Sequence, residues 1–337
     1  MKALSDKTIA DNKLKIKTMQ LVLLVGILLL GVKFYAYFYT RSNAILTDAL
    51  ESVVNVIGGA FALYSVYYAS RPKDKDHPYG HGKIEFLSAG FEGGMITLAG
   101  LAMIIKGIAA FFEKDELRQA EAGAYLSAFT GLVNYLIGSY LIKKGKAYNS
   151  SSMTADGKHL LSDSLSSVGL VIGLLVIYYT GLHWIDYILT ILFGGAIIYT
   201  GFKLVKESIT NLLDEADSSK LQDVIDVLNK NRRPKWVDIH NLRVLKYGSH
   251  LHVDCHITLP WYDTLEDAHH EVSLVEKLVK ENSDQEMEFF IHADPCLPAS
   301  CPICPLQDCP KRKAVFVKQL EWTLNNVLPD KKHSLGE

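Results

Sequence analysis

Six long apolar segments constrain the fold of this chain more than any other feature. They lie near residues 16–39, 43–70, 85–112, 119–143, 154–180 and 183–207. A helix of about 20 residues crosses a hydrocarbon core of about 30 Å, so each segment is long enough to span a membrane. Long helices buried in a soluble protein are the alternative, but they would not explain the basic residues of alternate loops. We therefore predict a membrane all-α, six-helix transmembrane bundle.

Lysine and arginine are concentrated on one side of the predicted membrane helices. They precede the first helix and occupy the loops after the second and fourth, whereas the opposite loops contain fewer of them. Because cytoplasmic loops carry the excess of basic residues, the N- and C-termini are both predicted to be cytoplasmic. The expected location is the lipid bilayer of the inner or plasma membrane. A formal net charge of −2 gives no reason to expect nucleic acid as a partner.

The composition changes after residue 210, where charged and alternating segments replace apolar ones. A polar helix near 218–231, two strands joined at Gly248, a helix near 264–281 and the strand EMEFFIHAD follow one another. The order αββαβ predicts a C-terminal cytosolic α+β domain of ferredoxin-like type. The predicted domains are 1–210 for the membrane bundle, 211–295 for the cytosolic domain and 296–337 for a cysteine-containing tail.

Polar residues inside two predicted membrane helices have the spacing of metal ligands. The fifth helix carries His159 and Asp163 in HLLSD, and the second carries Glu51 and Asn55 in ESVVN. A charged group in mid-membrane costs about 2.5–3.5 kcal/mol on insertion scales, so such residues are usually functional. Residues four apart lie on one helix face, so the two pairs can converge. One imidazole, two carboxylates and one amide oxygen would suit a tetrahedral ion such as Zn²⁺.

Hydrogen bonding between helices is the alternative role for these polar groups. The occurrence of two matching pairs favours the metal site. Glu92 in the third helix and Asn134 in the fourth have no such pairing, and we assign them to packing.

Four segments together resemble a known family. They are TDALESVVN in the second helix, the loop DKDHPYGHGKIE, HLLSD in the fifth helix and LLDEADSS after the sixth. In this order they are similar to the cation diffusion facilitator family, and the resemblance runs from about residue 14 to 295. Members are proton-coupled exporters of Zn²⁺ and related ions, usually homodimers. They have six transmembrane helices and a cytosolic ferredoxin-like domain, so the resemblance implies the same here.

The resemblance places the transport site on Glu51, Asn55, His159 and Asp163. The pair in the fifth helix matches the family pattern. The pair in the second helix departs from it, because the usual residues there are His or Asp followed by Asp. With Asn55 neutral, the site holds two carboxylates instead of three and is rich in oxygen ligands, which favour harder ions. Zn²⁺ is the first expectation, and Fe²⁺, Mn²⁺, Co²⁺ and Cd²⁺ stay open.

Two further metal sites are expected from the same resemblance. The first lies in the loop between the second and third helices, on Asp74, His77 and His81. A solvated loop without metal is its alternative. The second lies in the cytosolic domain, where zinc ions in the family help to hold the two subunits together, and ordinary surface or core histidines are its alternative. Its residues are His240, His256, His269, His292 and Asp294.

Four cysteines in the tail fall outside the family pattern. They are Cys296, Cys301, Cys304 and Cys309. Four thiolates at these spacings would close a tetrahedral Zn²⁺ site. The leading C-x₄-C-x₂-C also resembles plant-type iron–sulfur spacing, although the fourth cysteine is much closer here. Free or redox-active thiols are the third reading. The remaining cysteine, Cys255, is assigned to buried packing.

The predicted activity is proton-coupled efflux of divalent cations from the cytoplasm by alternating access, not an enzymatic reaction. His159 is expected to exchange metal for proton, since an imidazole with an ordinary pKa of about 6.5 titrates near neutral pH. A membrane-anchored metal sensor that binds but does not transport is the alternative, and it predicts that the membrane ligands are dispensable. A membrane metalloenzyme is a third class, but no nucleophile or phosphate-binding motif accompanies the metal ligands.

Overall fold

The computed structural model describes residues 6–40, 43–112, 120–180, 183–283 and 285–335. It divides into two compact units, Met1–Leu213 and Asp214–Glu337.

Long helices make up the described part of the first unit. They are α1 (Asp6–Thr40), α2 (Asn43–Ala69), α3 (Ile84–Phe112), α4 (Ala120–Ala147), α5 (Ser151–Thr180) and α6 (His183–Leu212). Each predicted apolar segment lies on one of these helices. Three helices contain described stretches long and apolar enough to cross a membrane, namely Ile9–Phe38, Ser52–Ala69 and Ile84–Ala109. Leu24 and Leu28 of α1 and Leu98 of α3 point outward and are more than half exposed, as lipid-facing residues would be.

Glycines bring the helices that carry the polar residues into close contact. A Cβ added at Gly138 of α4 would lie 2.8 Å from the carbonyl oxygen of Gly157 of α5. A Cβ at Gly93 of α3 would lie 2.9 Å from the carbonyl oxygen of Gly201 of α6. Small residues at such contacts allow two helix backbones to pack directly against each other. The positions of α3 and α5 are thereby fixed by their neighbours, and these two helices also contact each other.

The described part of the second unit contains a three-stranded sheet, two helices that cover it and a short helix near the chain end. Its elements follow in the order α7 (Ser218–Lys230), β1 (Asp238–Tyr247), β2 (His250–Leu259), α8 (Leu265–Glu281) and β3 (Met287–Pro295). Strand β2 is central, pairing antiparallel with β1 and parallel with β3. Gly248 forms the β1–β2 turn with φ +63°, a left-handed conformation that glycine adopts without strain. The helices cover the sheet through a core that includes Leu221, Ile225, Trp236, Val253 and Val275.

Residues 296–335 pack against this sheet domain instead of hanging free. A 3₁₀ turn, Pro298–Ile303, follows β3, and a short helix, α9 (Leu324–Val327), lies near the end. Trp322 and Val327 are buried in the same core as the sheet residues. The Arg232 guanidinium lies 3.8 Å from the Trp322 ring centre and donates to the backbone oxygens of Leu320 and Val237. Burial lowers the pKa of Arg232 to about 10, which leaves it charged at neutral pH.

Candidate metal sites

His159 and Asp163 lie one turn apart on α5 and face Asn55 of α2. The Asn55 amide links them, because its Oδ1 lies 2.9 Å from His159 Nε2 and its Nδ2 donates to Asp163 Oδ2 at 2.5 Å. His159 Nε2 is 3.8 Å from the same carboxylate oxygen. These three residues are called the transport-site cluster below. Glu51, the fourth predicted ligand, has its side chain outside the described residues.

Glu92 of α3 lies against the other side of the His159 ring. Its Oε2 is 3.3 Å from His159 Nδ1, and the glutamate is only 1% exposed. Its second oxygen, Oε1, has no hydrogen-bond partner among the described residues. Gly58 of α2 provides the space, since a Cβ there would lie 2.8 Å from Glu92 Oε1. Sequence reasoning assigned Glu92 to packing, but its carboxylate faces a predicted metal ligand.

A cavity of about 50 Å³ adjoins Asn55 between α1, α2, α4 and α5. It is large enough to hold water. Its polar lining residues are Lys33, Ser52, Asn55, Thr130, Asn134 and Asp156. Lys33 Nζ donates to Ser52 Oγ at 2.7 Å. Asn134, assigned to packing from the sequence, therefore lines the same cavity as Asn55 of the transport-site cluster.

The predicted loop residues Asp74, His77 and His81 form a second group, called the loop cluster. Their ligand atoms all lie within 4.8 Å of one another. Asp74 Oδ1 is 3.1 Å from His77 Nδ1, and Asp74 Oδ2 is 3.2 Å from His81 Nε2. The backbone N–H of His77 also donates to Asp74. This hydrogen bond, together with the side chains of His77 and His81, lowers the pKa of the Asp74 carboxyl. His81 is buried beneath Tyr68, whose ring meets it edge-on at 4.6 Å.

Three of the predicted cytosolic histidines form a row across the sheet. His240 of β1 pairs with His256 of β2, which pairs with His292 of β3. Directly opposite residues on one sheet face lie close together, which explains their convergence. Asp294 joins them, with its Oδ2 3.3 Å from both His240 Nε2 and His256 Nδ1, and its Oδ1 3.6 Å from His292 Nε2. These four residues are called the sheet cluster. His269 lies exposed on α8, and within the described chain it takes no part in the ion pairs that join these four residues.

Asp238 contacts His240 of the sheet cluster, a role that its position in the sequence did not indicate. It is buried and lies 3.4 Å from His240 Nδ1, while His333 from the chain end bonds to its other oxygen. Burial opposes its ionisation, but the hydrogen bonds from His240 and His333 outweigh burial and lower the pKa of Asp238. A β-bulge between His240 and Arg243 turns Asn241 toward His256 Nε2, at 3.3 Å.

The chain end also approaches the sheet cluster. Lys332 Nζ lies 3.7 Å from Asp294 Oδ1, and Asp330 Oδ1 lies 4.0 Å from His256 Nδ1. The backbone N–H of Asn241 donates to Pro329 at 3.0 Å, which holds this segment in place. Residues more than 30 positions apart thus surround one site.

Attachment of the chain end should depend on pH through His333. Its hydrogen bond with Asp238 raises the pKa of His333 above the ordinary 6.5, despite its half-burial. A raised folded pKa stabilises the contact fully below the unfolded pKa, and this stability is lost as pH rises through the folded value. We expect residues 330–335 to lose protection from hydrogen exchange as the pH rises through the pKa of His333 in the folded protein. The exchange rates are corrected for the intrinsic rate at each pH. The His333→Gln protein should show no such dependence, and an equal pH dependence in both proteins would contradict the assignment.

The five cysteines are all unpaired, and the four predicted tail ligands line one cavity of about 80 Å³. Burial raises the pKa of the Cys296 and Cys304 thiols. Cys255 lies apart in the sheet core, where burial raises its pKa to about 12.

Comparison with known proteins agrees with this arrangement of membrane and cytosolic units. Residues 19–213 match the cation efflux transmembrane domain, and residues 216–296 match the cytoplasmic domain of cation efflux proteins. An uncharacterized transporter of Synechocystis sp. is 30% identical over 252 residues, which cover 75% of this chain and 81% of that protein. The cation-efflux pump FieF of Cronobacter sakazakii is 26% identical over 277 residues, covering 81% of this chain and 90% of the pump. FieF of Escherichia fergusonii is 26% identical over 270 residues, covering 80% and 89%.

The chain therefore belongs to the cation diffusion facilitator family of metal transporters. It is an integral protein of the inner membrane, with a transmembrane helical domain and a C-terminal cytosolic domain that contains a small sheet. Its activity is the efflux of divalent cations, which is transport and not an enzymatic reaction. Its cytoplasmic domain is of the dimerising type, so the protein is a homodimer.

Proposed function

We propose that this protein exports a divalent cation in exchange for protons by alternating access, with Zn²⁺ as the first candidate. All six long helices would span the membrane, with both termini in the cytoplasm and the second unit forming a ferredoxin-like domain. The observation that carries the proposal is the transport-site cluster. A histidine, an aspartate and an asparagine from two helices meet side chain to side chain inside a helical membrane domain.

The ligand set explains the choice of ion. His159 contributes an imidazole nitrogen, Asp163 a carboxylate and Asn55 an amide oxygen. Glu51 lies one turn before Asn55 on α2 and would add a second carboxylate from the same helix face. Four ligands of this kind suit tetrahedral Zn²⁺. The share of oxygen ligands also fits Fe²⁺, Mn²⁺, Co²⁺ or Cd²⁺, so these ions belong in the same test.

Metal and proton would compete for one atom, His159 Nε2. In the observed orientation, the Asn55 amide uses its N–H₂ group on Asp163 and turns its oxygen to Nε2. A nitrogen that faces an acceptor oxygen carries a hydrogen, and it must lose this hydrogen before it can bind a metal ion. Entry of metal would therefore release a proton, and entry of a proton from the other side would release the metal.

Glu92 would act as a positioning residue for this exchange. Metal-binding histidines usually donate their second ring nitrogen to a carboxylate, which fixes the ring and makes the ligand nitrogen more basic. Glu92 Oε2 lies at His159 Nδ1, on the ring edge opposite Asn55. Its carboxylate would also restore, next to the site, the negative charge that Asn55 lacks.

The other clusters would regulate or feed this site. The loop cluster has an acid and two histidines that could hold an ion between α2 and α3. In the sheet cluster, His240, His256 and Asp294 have the same mutual spacing. Metal there would draw the cytosolic domains of the two protomers together and favour the transport-competent state.

Transport in proteoliposomes that enclose a pH-sensitive dye tests the proposal. Zn²⁺, Fe²⁺, Mn²⁺, Co²⁺ and Cd²⁺ would each be applied to the wild type and to Asp163→Ala. We expect metal flux with opposite proton movement for at least one ion, and its loss in the variant. Metal flux without proton movement would contradict the proposed exchange of metal for protons. Metal binding without any flux would favour the membrane sensor instead.

A further inference from the structure

The four tail cysteines share a cavity, and Cys301, Cys304 and Cys309 lie beyond the residues that match the family's two domains. Cys296 directly follows β3, and its backbone N–H donates to Leu259 of β2 at 2.8 Å. Cys301, Cys304 and Cys309 come from the turn and loop that follow. The cavity lies within the sheet domain and is separate from the sheet cluster in its lining residues.

The segment between Cys301 and Cys304 is a tight, anchored turn. The Cys304 N–H donates to the Cys301 carbonyl at 3.3 Å, and Ile303 is buried in a small core beside Val237. Arg312 donates to the carbonyls of Cys301 and Cys304 at 3.0 and 3.2 Å. These bonds hold two sulfur-bearing residues at the same side of the cavity before any ligand binds.

The Cys301 sulfur receives a hydrogen bond from the backbone. The Lys313 backbone N–H lies 3.4 Å from Cys301 Sγ. Donors directed at sulfur stabilise the thiolate form, and such outer contacts orient and tune metal ligands.

The charge around the cavity also fits a metal–thiolate group. Lys311, Arg312 and Lys313 line it together with the four cysteines. Zn²⁺ with four thiolates carries two excess negative charges, which neighbouring cations offset. No carboxylate or imidazole belongs to the described lining, so the ligands available to an ion there are sulfur.

We propose that Cys296, Cys301, Cys304 and Cys309 form a structural Zn²⁺ site, distinct from the sites that handle the transported ion. The transport-site, loop and sheet clusters offer nitrogen and oxygen ligands, whereas this cavity offers soft thiolates. No three of the four described sulfurs all lie within 4.8 Å of one another, so binding draws the cavity inward and releases the thiol protons.

The bound ion would fasten the whole C-terminal segment to the domain. Beyond the cavity, the chain buries Trp322 and then returns to the sheet cluster through Lys332 and His333. The Val317 N–H donates to Pro302 at 2.8 Å, which ties the returning segment to the cysteine turn itself. Zinc at the start of this segment therefore holds the residues that surround the sheet cluster at its end.

Cobalt substitution in the full-length detergent-solubilised protein tests the site. The protein is stripped with chelator under reducing conditions and reloaded with Co²⁺. We expect sulfur-to-cobalt charge-transfer absorption that saturates at a single equivalent per protomer and disappears when Zn²⁺ is added. The other clusters contain no sulfur and cannot produce this signal. The Cys255→Ala protein should retain it in full, and a Cys301→Ser/Cys304→Ser double variant should lose it.

Several outcomes would overturn the proposal without depending on the fold of a variant. Wild-type protein whose thiols are free, yet which gives no charge-transfer absorption with Co²⁺, has no thiolate site. If the purified protein contains iron and acid-labile sulfide, the four cysteines hold an iron–sulfur cluster and not zinc. Disulfides among the four cysteines in protein kept under reducing conditions would make them a redox pair. Hydrogen exchange provides the last check, since zinc removal from the wild type should expose residues 317–335 and Cys255→Ala should behave identically.

Discussion

The His159→Ala protein should lose metal-driven proton movement in proteoliposomes. His159 supplies the imidazole nitrogen of the transport-site cluster, and its Nε2 is the atom at which metal and proton would compete. Without it, Asn55 and Asp163 can still offer oxygen atoms, but the ion loses a strong ligand and the exchange loses its proton carrier. Changes to residues that only support a metal ligand lower metal affinity about 10–100-fold. Because His159 is itself a ligand, we expect its loss to lower metal affinity by at least the upper end of that range.

Ser166→Ala is a matched control for His159→Ala. Ser166 lies on the same helix, and its hydroxyl lies 3.1 Å from the Ser162 carbonyl oxygen, to which it donates, and 3.5 Å from the Met103 sulfur of α3. Its removal should leave the rate of proton movement per inserted protein close to the wild-type value. A His159→Ala protein that exchanged metal for protons at the native rate would overturn the proposed coupling. Loss in both variants would point instead to a general sensitivity of α5.

The transport-site cluster could be found from the sequence because helical periodicity is a local property. His159 and Asp163 share a face of α5 by their spacing alone, and the same holds for Glu51 and Asn55 on α2. The loop cluster could also be predicted from the sequence, since Asp74, His77 and His81 lie within eight consecutive residues. In each case the spacing within one helix or one loop places the residues of that element together, whereas the meeting of Asn55 with His159 and Asp163 comes from packing of α2 against α5.

The residues that sequence reasoning missed are those brought together by packing between distant elements. Glu92 reaches His159 because α3 contacts α5, and no spacing within α3 indicates which helix its carboxylate will face. Asp238 and His333 meet although 95 positions separate them. The histidine row of the sheet depends on strand register, which the alternating pattern of each strand does not fix by itself.

The Glu92→Gln protein should bind and transport metal about 10–100-fold less well than the wild type. Glutamine has nearly the same volume and places an amide where the carboxylate faces His159 Nδ1, but it carries no charge. If Glu92 only filled space, this change would leave metal affinity unaltered. If the Glu92 carboxylate makes the His159 imidazole more basic, the metal affinity of the Glu92→Gln protein falls.

Gly58→Ala tests the same contact without changing the chemistry of Glu92. The added Cβ would lie 2.8 Å from Glu92 Oε1, closer than a real contact allows, so the carboxylate must move away from its place beside His159. Gly94→Ala on α3 is the matched control, because a Cβ there meets nothing within 4 Å. We expect weaker metal-driven transport in Gly58→Ala and unchanged transport in Gly94→Ala. If Glu92→Gln and Gly58→Ala both keep the wild-type metal affinity, Glu92 has only a packing role. If both lose metal affinity, Glu92 acts through its charge at the position observed beside His159.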